Sequence, residues 1–182
     1  MMTTLPITVQ IAHEDDAEAI AGVLVETRLH TYSNSALDIT VNDLQERFGE
    51  MNDTIALVRT WLRSPKMRRV WVAKDGPRTV ANCVAYCDDN GGHIGAVYVL
   101  PEYQGKGIGK ALMQDALVWL GDKDDITLWT AAYNPDPIAF YKGFGFIESG
   151  VSWQFPLSNA KSMPLLQMIK PRVGTSAPAP PL

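Results

Sequence analysis

Three glycines at alternate positions, Gly105, Gly107 and Gly109, are interleaved with Lys106, Ile108 and Lys110 and preceded by Gln104. Residues of this kind, in this order, can hold phosphate. Glycine lets the backbone take positive φ and lets a ligand approach with no Cβ in the way. Upstream, His93–Leu100 reads as a strand that Pro101 ends, because proline cannot donate to a ladder. Downstream, Ile108, Ala111, Leu112, Ala116, Trp119 and Leu120 form one apolar stripe at helical period, and Gly121 sits where a C-cap glycine belongs. The first-turn N–H groups of such a helix lack intrahelical partners and lie at the positive end of its dipole. They can cradle an anion, and the two lysines add charge.

Spacing decides between the families that use this device. A Walker A loop fails, since Leu100 stands where its first glycine belongs and Gly107 where its Ser or Thr belongs. A dinucleotide fingerprint fails too, with Lys110 or Leu112 in place of the third glycine. The pattern that fits is Gln104-x-x-Gly107-x-Gly109, with Val99-x-Pro101 before it and Leu112 after it. It resembles the acetyl-CoA-binding motif of the GCN5-related N-acetyltransferase (GNAT) family. A second stretch carries the same resemblance: Asn134, a short helical segment, Tyr141, then Gly145-Phe146. Pro137 departs from the alanine common in that helix. The likeness spans roughly residues 5 to 170 and is specific only in the second half.

The resemblance implies a site. Acetyl-CoA would be held by Val97, Tyr98 and Val99 along the strand, by Gln104, Gly105, Lys106, Gly107, Ile108, Gly109 and Lys110 at the turn, and by Asn134 and Tyr141. A primary amine of a small molecule or protein would attack the thioester directly. A backbone N–H near Val99, exposed by a bulge at the strand end, would steady the oxyanion. Tyr141 is the candidate donor to the leaving thiolate, and His93 falls where some family members place a catalytic glutamate. Asp88, Asp89 and Glu102 are rival bases. Two other readings stay open: a non-catalytic acyl-CoA-binding or regulatory domain, and a scaffold with a fortuitous loop.

These residues need elements to position them. In the central strand, alternation would put Ile94, Ala96, Tyr98 and Leu100 on one face and His93, Gly95, Val97 and Val99 on the other. Residues 7–12 alternate as a first strand, and a helical stripe runs from Ala17 to about His30, followed by a polar loop over 31–40. Thr40 and Asp43 resemble a capping box, and Leu44, Phe48, Met51, Ile55, Val58 and Leu62 mark a helical face that Gly49 can split. Segments 69–74 and 79–87 then make an antiparallel meander with the central strand. The helix from Ile108 is the crossover a parallel strand at 126–131 requires. Asp136 as N-cap and Pro137 as first residue begin the short helix. Strands at 146–150, 153–155 and 165–170 finish an α/β fold, GNAT-like: a mixed, mostly antiparallel sheet flanked by helices, with a splayed parallel pair forming the acetyl-CoA cleft.

The chain reads as one domain over 1–170 and a Pro-rich tail over 171–182 expected to be disordered. At 182 residues it can build a sizeable core. A net charge of −4 argues against a nucleic-acid binder. Neither a membrane span nor a signal peptide is expected, which points to the cytoplasm. Cys83 and Cys87, four residues apart on one strand, are too distant for a disulfide or a shared metal, so no metal is expected. The amine acceptor is not encoded in any recognisable way. Homodimerisation is compatible with the sequence but unmarked in it.

Overall fold

Small and branched residues fill both faces of the middle strands, so helices must cover both sides. In a computed structural model, which describes residues 7–64, 66–158, 160–172 and 174, they do. The strands are β1 (Thr8–Ile11), β2 (Arg68–Asp75), β3 (Arg78–Asp88), β4 (Gly91–Val99), β5 (Ile126–Ala131), β6 (Ile147–Pro156) and β7 (Ser162–Lys170). They form one sheet in the order β1-β2-β3-β4-β5-β7-β6. Every neighbouring pair is antiparallel except β4–β5. The mixed, mostly antiparallel sheet expected from the sequence is therefore present, with β4 in its middle.

The helices are α1 (Ala17–Tyr32), α2 (Val41–Phe48), α3 (Met51–Leu62), α4 (Ile108–Leu120) and α5 (Pro135–Lys142). On one face, Leu112, Met113 and Ala116 of α4 pack on Ala81, Cys83 and Ala85 of β3. On the other, Ile20, Ala21 and Leu24 of α1 and Val58 of α3 cover Val70, Val72, Val84 and Ala96. A third cluster ties Leu44 of α2 to Met163 and Leu165 of β7. The α2–α3 break falls at Gly49 and Glu50, where the glycine allows the split. The capping box forms: Thr40 N–H donates to Asp43 Oδ2 at 2.8 Å and Asp43 N–H to Thr40 Oγ1 at 3.2 Å.

Several expectations need correction. The alternation assumed for β4 breaks at Gly95. Ala96 pairs with Val84 and Ile94 with Ala85, so Gly95 is an extra residue with no partner on β3. This bulge reverses the parity of the strand. Ile94 consequently packs with the α4 side and Ala96 with the α1 side, although two residues separate them. The bulge expected at the strand end near Val99 is thus four positions earlier. The helix after β5 also starts earlier, with Asn134 as N-cap and Pro135 in its first turn rather than Asp136 and Pro137. Both prolines are tolerated because first-turn N–H groups have no helical partner. The segments 146–150 and 153–155 are one strand, β6, with an irregularity between Glu148 and Ser152. Helix α1 continues to Tyr32, into the segment expected as loop. Most of the expected disordered tail lies outside the described residues.

Candidate active site

The parallel pairing of β4 with β5 lasts only from Gly92–Ile126 to Ile94–Leu128. It stops at the Gly95 bulge, and beyond it the strands part. The split opens a cleft of about 860 Å³ bounded by α1, the turn after β4, α4, α5 and the β6–β7 hairpin. Within it the backbone of β4 offers an unpaired edge. Leu100 N–H donates to Val80 O at 2.9 Å, so ladder alternation turns the main-chain groups of Val97 and Val99 away from β3 and into the cleft.

At one end the glycine turn leads into α4. Gly105 and Gly107 take φ of +73° and +81°, and a Cβ built on either would meet no atom within 4 Å. Both positions therefore need glycine for their backbone, and both face open space. The first α-helical bond of α4 runs from Ala111 N–H to Gly107 O, leaving the N–H groups of Ile108, Gly109 and Lys110 free of helical partners. A cradle of this form fits a diphosphate. Gln104 contributes differently: its Nε2 donates to Val99 O at 3.0 Å and fastens the turn to the end of β4. Of the two lysines only Lys110 lines the cleft. The Lys106 ammonium lies 4.8 Å from the centre of the Tyr103 ring.

Where the strands part, phenols gather. Tyr98 and Tyr32 hydroxyls are 2.7 Å apart. Tyr141 projects from α5, buried against Phe140 and Phe146 with ring centres at 5.3 Å and 6.1 Å. Its hydroxyl has no hydrogen-bond partner among the described residues. Burial, then the neighbouring Tyr98 and Cys83, push its pKa far up, so the phenol stays neutral. Asn134 lines the same wall, and its side chain makes no cap hydrogen bond.

His93 is elsewhere. It precedes the bulge, where β4 is still paired, and does not line the cleft. Both ring nitrogens are engaged, Nδ1 with Thr127 Oγ1 at 2.8 Å and Nε2 with Asp88 Oδ1 at 2.9 Å, and the ring stacks on Tyr86 at 4.6 Å. The His93 hydrogen bond comes first among the causes holding Asp88 below the usual carboxylate range. Glu102 is paired with Arg78 at 2.8 Å. Neither these carboxylates nor Asp89 lines the cleft. The structure thus brings the cradle, Asn134 and Tyr141 together and leaves His93 and its rivals outside.

The opposite end holds side chains that the motifs did not point to. Phe48 stacks on Phe155 at 5.7 Å, Phe155 meets Trp153 at 5.2 Å, and Trp153 meets Trp129 at 6.2 Å. Arg28 of α1 lies over Phe48 and Tyr98 at 5.1 Å and 5.7 Å. All of them line the cleft. Lys161 braces this end by bonding Asp43 at 2.9 Å and Asp38 at 3.1 Å, which joins the loop before β7 to α2. Hydrogen bonds from the Thr40 hydroxyl and Lys161 hold the Asp43 carboxyl down at about 2. The sequence signal for this end was faint: aromatics at Trp153 and Phe155 alternating with Ser152 and Gln154.

Among the described residues no group of His, Cys, Asp and Glu is placed to hold a metal ion, both cysteines are free, and no helix is long and apolar enough to cross a membrane.

Comparison with known proteins accords with this geometry. A search of curated proteins finds no significant sequence relative. Solved structures do match. PaiA N-acetyltransferase from Thermoplasma acidophilum, in complex with coenzyme A, aligns at a TM-score of 0.65 and 17% identity over 90% of this chain and 98% of its own. The yncA structure from Salmonella typhimurium with its cofactor acetyl-CoA aligns at 0.69 and 19% identity, over 96% and 99% of the two chains. The ribosomal-protein-S18-alanine N-acetyltransferase of Escherichia coli aligns at 0.62 and 16% identity, over 96% and 99%. Identities this low speak to fold alone. The family model that matches residues 66–148 is described as "Acetyltransferase (GNAT) domain", and its span holds β2, β3, β4, the glycine turn, α4, β5 and α5. With its fold and its splayed β4–β5 pair, the chain carries over residues 66–148 a match to the GNAT acetyltransferase domain.

Proposed function

We propose that the protein transfers the acetyl group of acetyl-CoA to a primary amine by direct attack inside the β4–β5 cleft. One observation carries this reading: the unpaired β4 edge runs from the bulge, near Tyr141, to a glycine cradle at a helix N-terminus. The donor supplies an activated thioester. The N–H groups of Ile108, Gly109 and Lys110 hold its pyrophosphate, and Gly105 and Gly107 let it approach. Main-chain groups of Val97 and Val99 hold the pantetheine as a further strand would be held. Gln104 keeps this edge and the cradle in register through Val99.

Tyr141 then hydrogen-bonds the departing sulfur. A thiol has a pKa near ~8.5, and a phenol raised above its usual value near ~10 is the weaker acid. Full proton transfer is therefore uphill, and the contribution is stabilisation of the developing thiolate. An amine arrives protonated at neutral pH, and with His93 outside the cleft its proton goes to solvent. The acceptor lies beyond Tyr141, against α1, α2 and β6.

The position of His93, Asp88, Asp89 and Glu102 outside the cleft lining favours one second reading, an acyl-CoA-binding domain that transfers nothing. Calorimetric titration with acetyl-CoA, followed by thiol detection of CoA release across a panel of amines, separates the two. Binding with amine-dependent CoA release supports transfer. Binding with no release for any amine supports the second reading, and no binding removes both.

A further inference from the structure

We infer that the acceptor is a monoamine with an apolar, preferably aromatic, body and a carboxylate: the chemistry of a free hydrophobic amino acid. This rests on the acetyl-transfer reading of the same cleft.

The wall facing the acceptor is aromatic. Trp129 and Trp153 are 42% and 49% exposed, so much of both indoles is left for something else to cover. They continue the ring series through Phe155 to Phe48, so an apolar side chain can lie along a surface made wholly of rings. The charge on this wall is cationic. Arg28 is half-buried, held between Phe48 and Tyr98, and has neither a hydrogen bond nor an ion pair among the described residues. Arg59, Arg63 and Arg78, all on the outer surface, each have a glutamate. A guanidinium fixed by rings with its donor edge unused is a receptor for a carboxylate.

Carboxylates are scarce on the same wall. Asp136 is the only acid among the described residues lining the cleft, and it sits on α5, whose Phe140 borders Gly109 at the cofactor end. A polyamine or aminoglycoside would meet Arg28 with no compensating acid, which disfavours such polycations. The amine of the acceptor points at the thioester, its carboxylate at Arg28 and its side chain at the indoles.

The test compares CoA release with L-phenylalanine, L-tryptophan, phenylalanine amide, phenethylamine, spermidine and a peptide with N-terminal phenylalanine. The free acids should exceed the neutral amide by ~10–10²-fold in kcat/KM, the range expected for a charge-assisted pair. Arg28→Gln should erase that preference and Arg28→Lys keep part of it, with acetyl-CoA affinity by calorimetry unchanged in both. The inference is overturned if the amide, the peptide or phenethylamine equals the free acids, or if spermidine is the best acceptor. It is also overturned if acetyl-CoA binds and the acids release no CoA, an outcome that leaves transfer to another amine standing. Failure of acetyl-CoA to bind instead removes the acetyl-transfer reading itself.

Discussion

The two ends of the cleft are made of different material. The end proposed for the cofactor is backbone: two glycines at positive φ, three N–H groups without helical partners and the open edge of β4, all within residues 95–110. The end proposed for the acceptor is side chain: Arg28, Phe48, Trp129, Trp153 and Phe155, brought from α1, α2, β5 and β6. Main-chain groups are the same whatever residue carries them, so a backbone site recognises a ligand part that does not vary. A wall of side chains can be changed one residue at a time without disturbing the backbone beneath it. The comparison suggests that affinity for the donor and choice of acceptor are set independently.

Substitutions can break that division or sharpen it. The largest effect is expected from Gly107→Val. It fills the open side of the cradle and forces a branched residue to φ +81°. Acetyl-CoA affinity should fall by ~10²-fold or more, read by calorimetry on protein shown to be folded by circular dichroism. Unchanged affinity would place the phosphate site elsewhere. Gly109→Ala is the control, because its Cβ would meet Phe140 and Val99 at ordinary contact distances of 3.5 Å and 3.6 Å.

Tyr141→Phe comes next. It keeps the packing and removes the donor, so kcat should fall by ~10–10³-fold while donor affinity holds within a few-fold. The raised pKa fixes a sign as well. The folded state holds this proton more tightly than the unfolded chain, so the stabilisation is present below pH ~10 and is lost as pH rises beyond it. A wild-type pH–rate profile should climb with amine deprotonation and show no decline from Tyr141 below about pH 10. A loss of donor affinity with kcat intact would move Tyr141 into the binding half.

Trp153→Ala should raise the acceptor KM roughly tenfold and leave acetyl-CoA affinity alone. If donor affinity fell with it, the two ends would not be independent. The smallest effect belongs to His93→Gln, expected to change kcat by less than about threefold between pH 6 and 9, since the ring lies outside the cleft. A loss of ~10²-fold, recovered at high pH, would make His93 the base after all.

The same contrast explains what could be read from the chain. The cradle is local, so glycine spacing, the preceding strand and the following helix announce it within a score of residues. Meander, crossover helix and capping box follow from periodicity in the same way. The parity of β4 does not. Gly95 looks like any strand glycine until the partner's register is known, and the extra residue appears only in the pairing of Val84 and Ala85 with Ala96 and Ile94. That single offset carried Ile94 and Ala96 to opposite faces. His93 failed as a cleft residue for a related reason: its place along the strand was readable, but not that it stands below the point where β4 and β5 separate. The acceptor wall was illegible because its residues meet only in three dimensions, and each taken singly is an ordinary arginine or aromatic.

If acetyl-CoA binds along β4 as proposed, the parting of β4 from β5 would tie this protein's persistence to its metabolic surroundings. An internal strand edge with the Val97 main chain and the Val99 N–H unpaired is a weak seam, and a donor that hydrogen-bonds along it closes the seam only in the folded chain. At a donor concentration a hundred times its dissociation constant, the folded state gains about 2.7 kcal/mol, or roughly 5–10 °C in melting temperature for a chain of this size. Shifts of that order alter how often a protein is caught open by proteases. The number of copies a cell retains would therefore follow its supply of acetyl-CoA, before any change in synthesis.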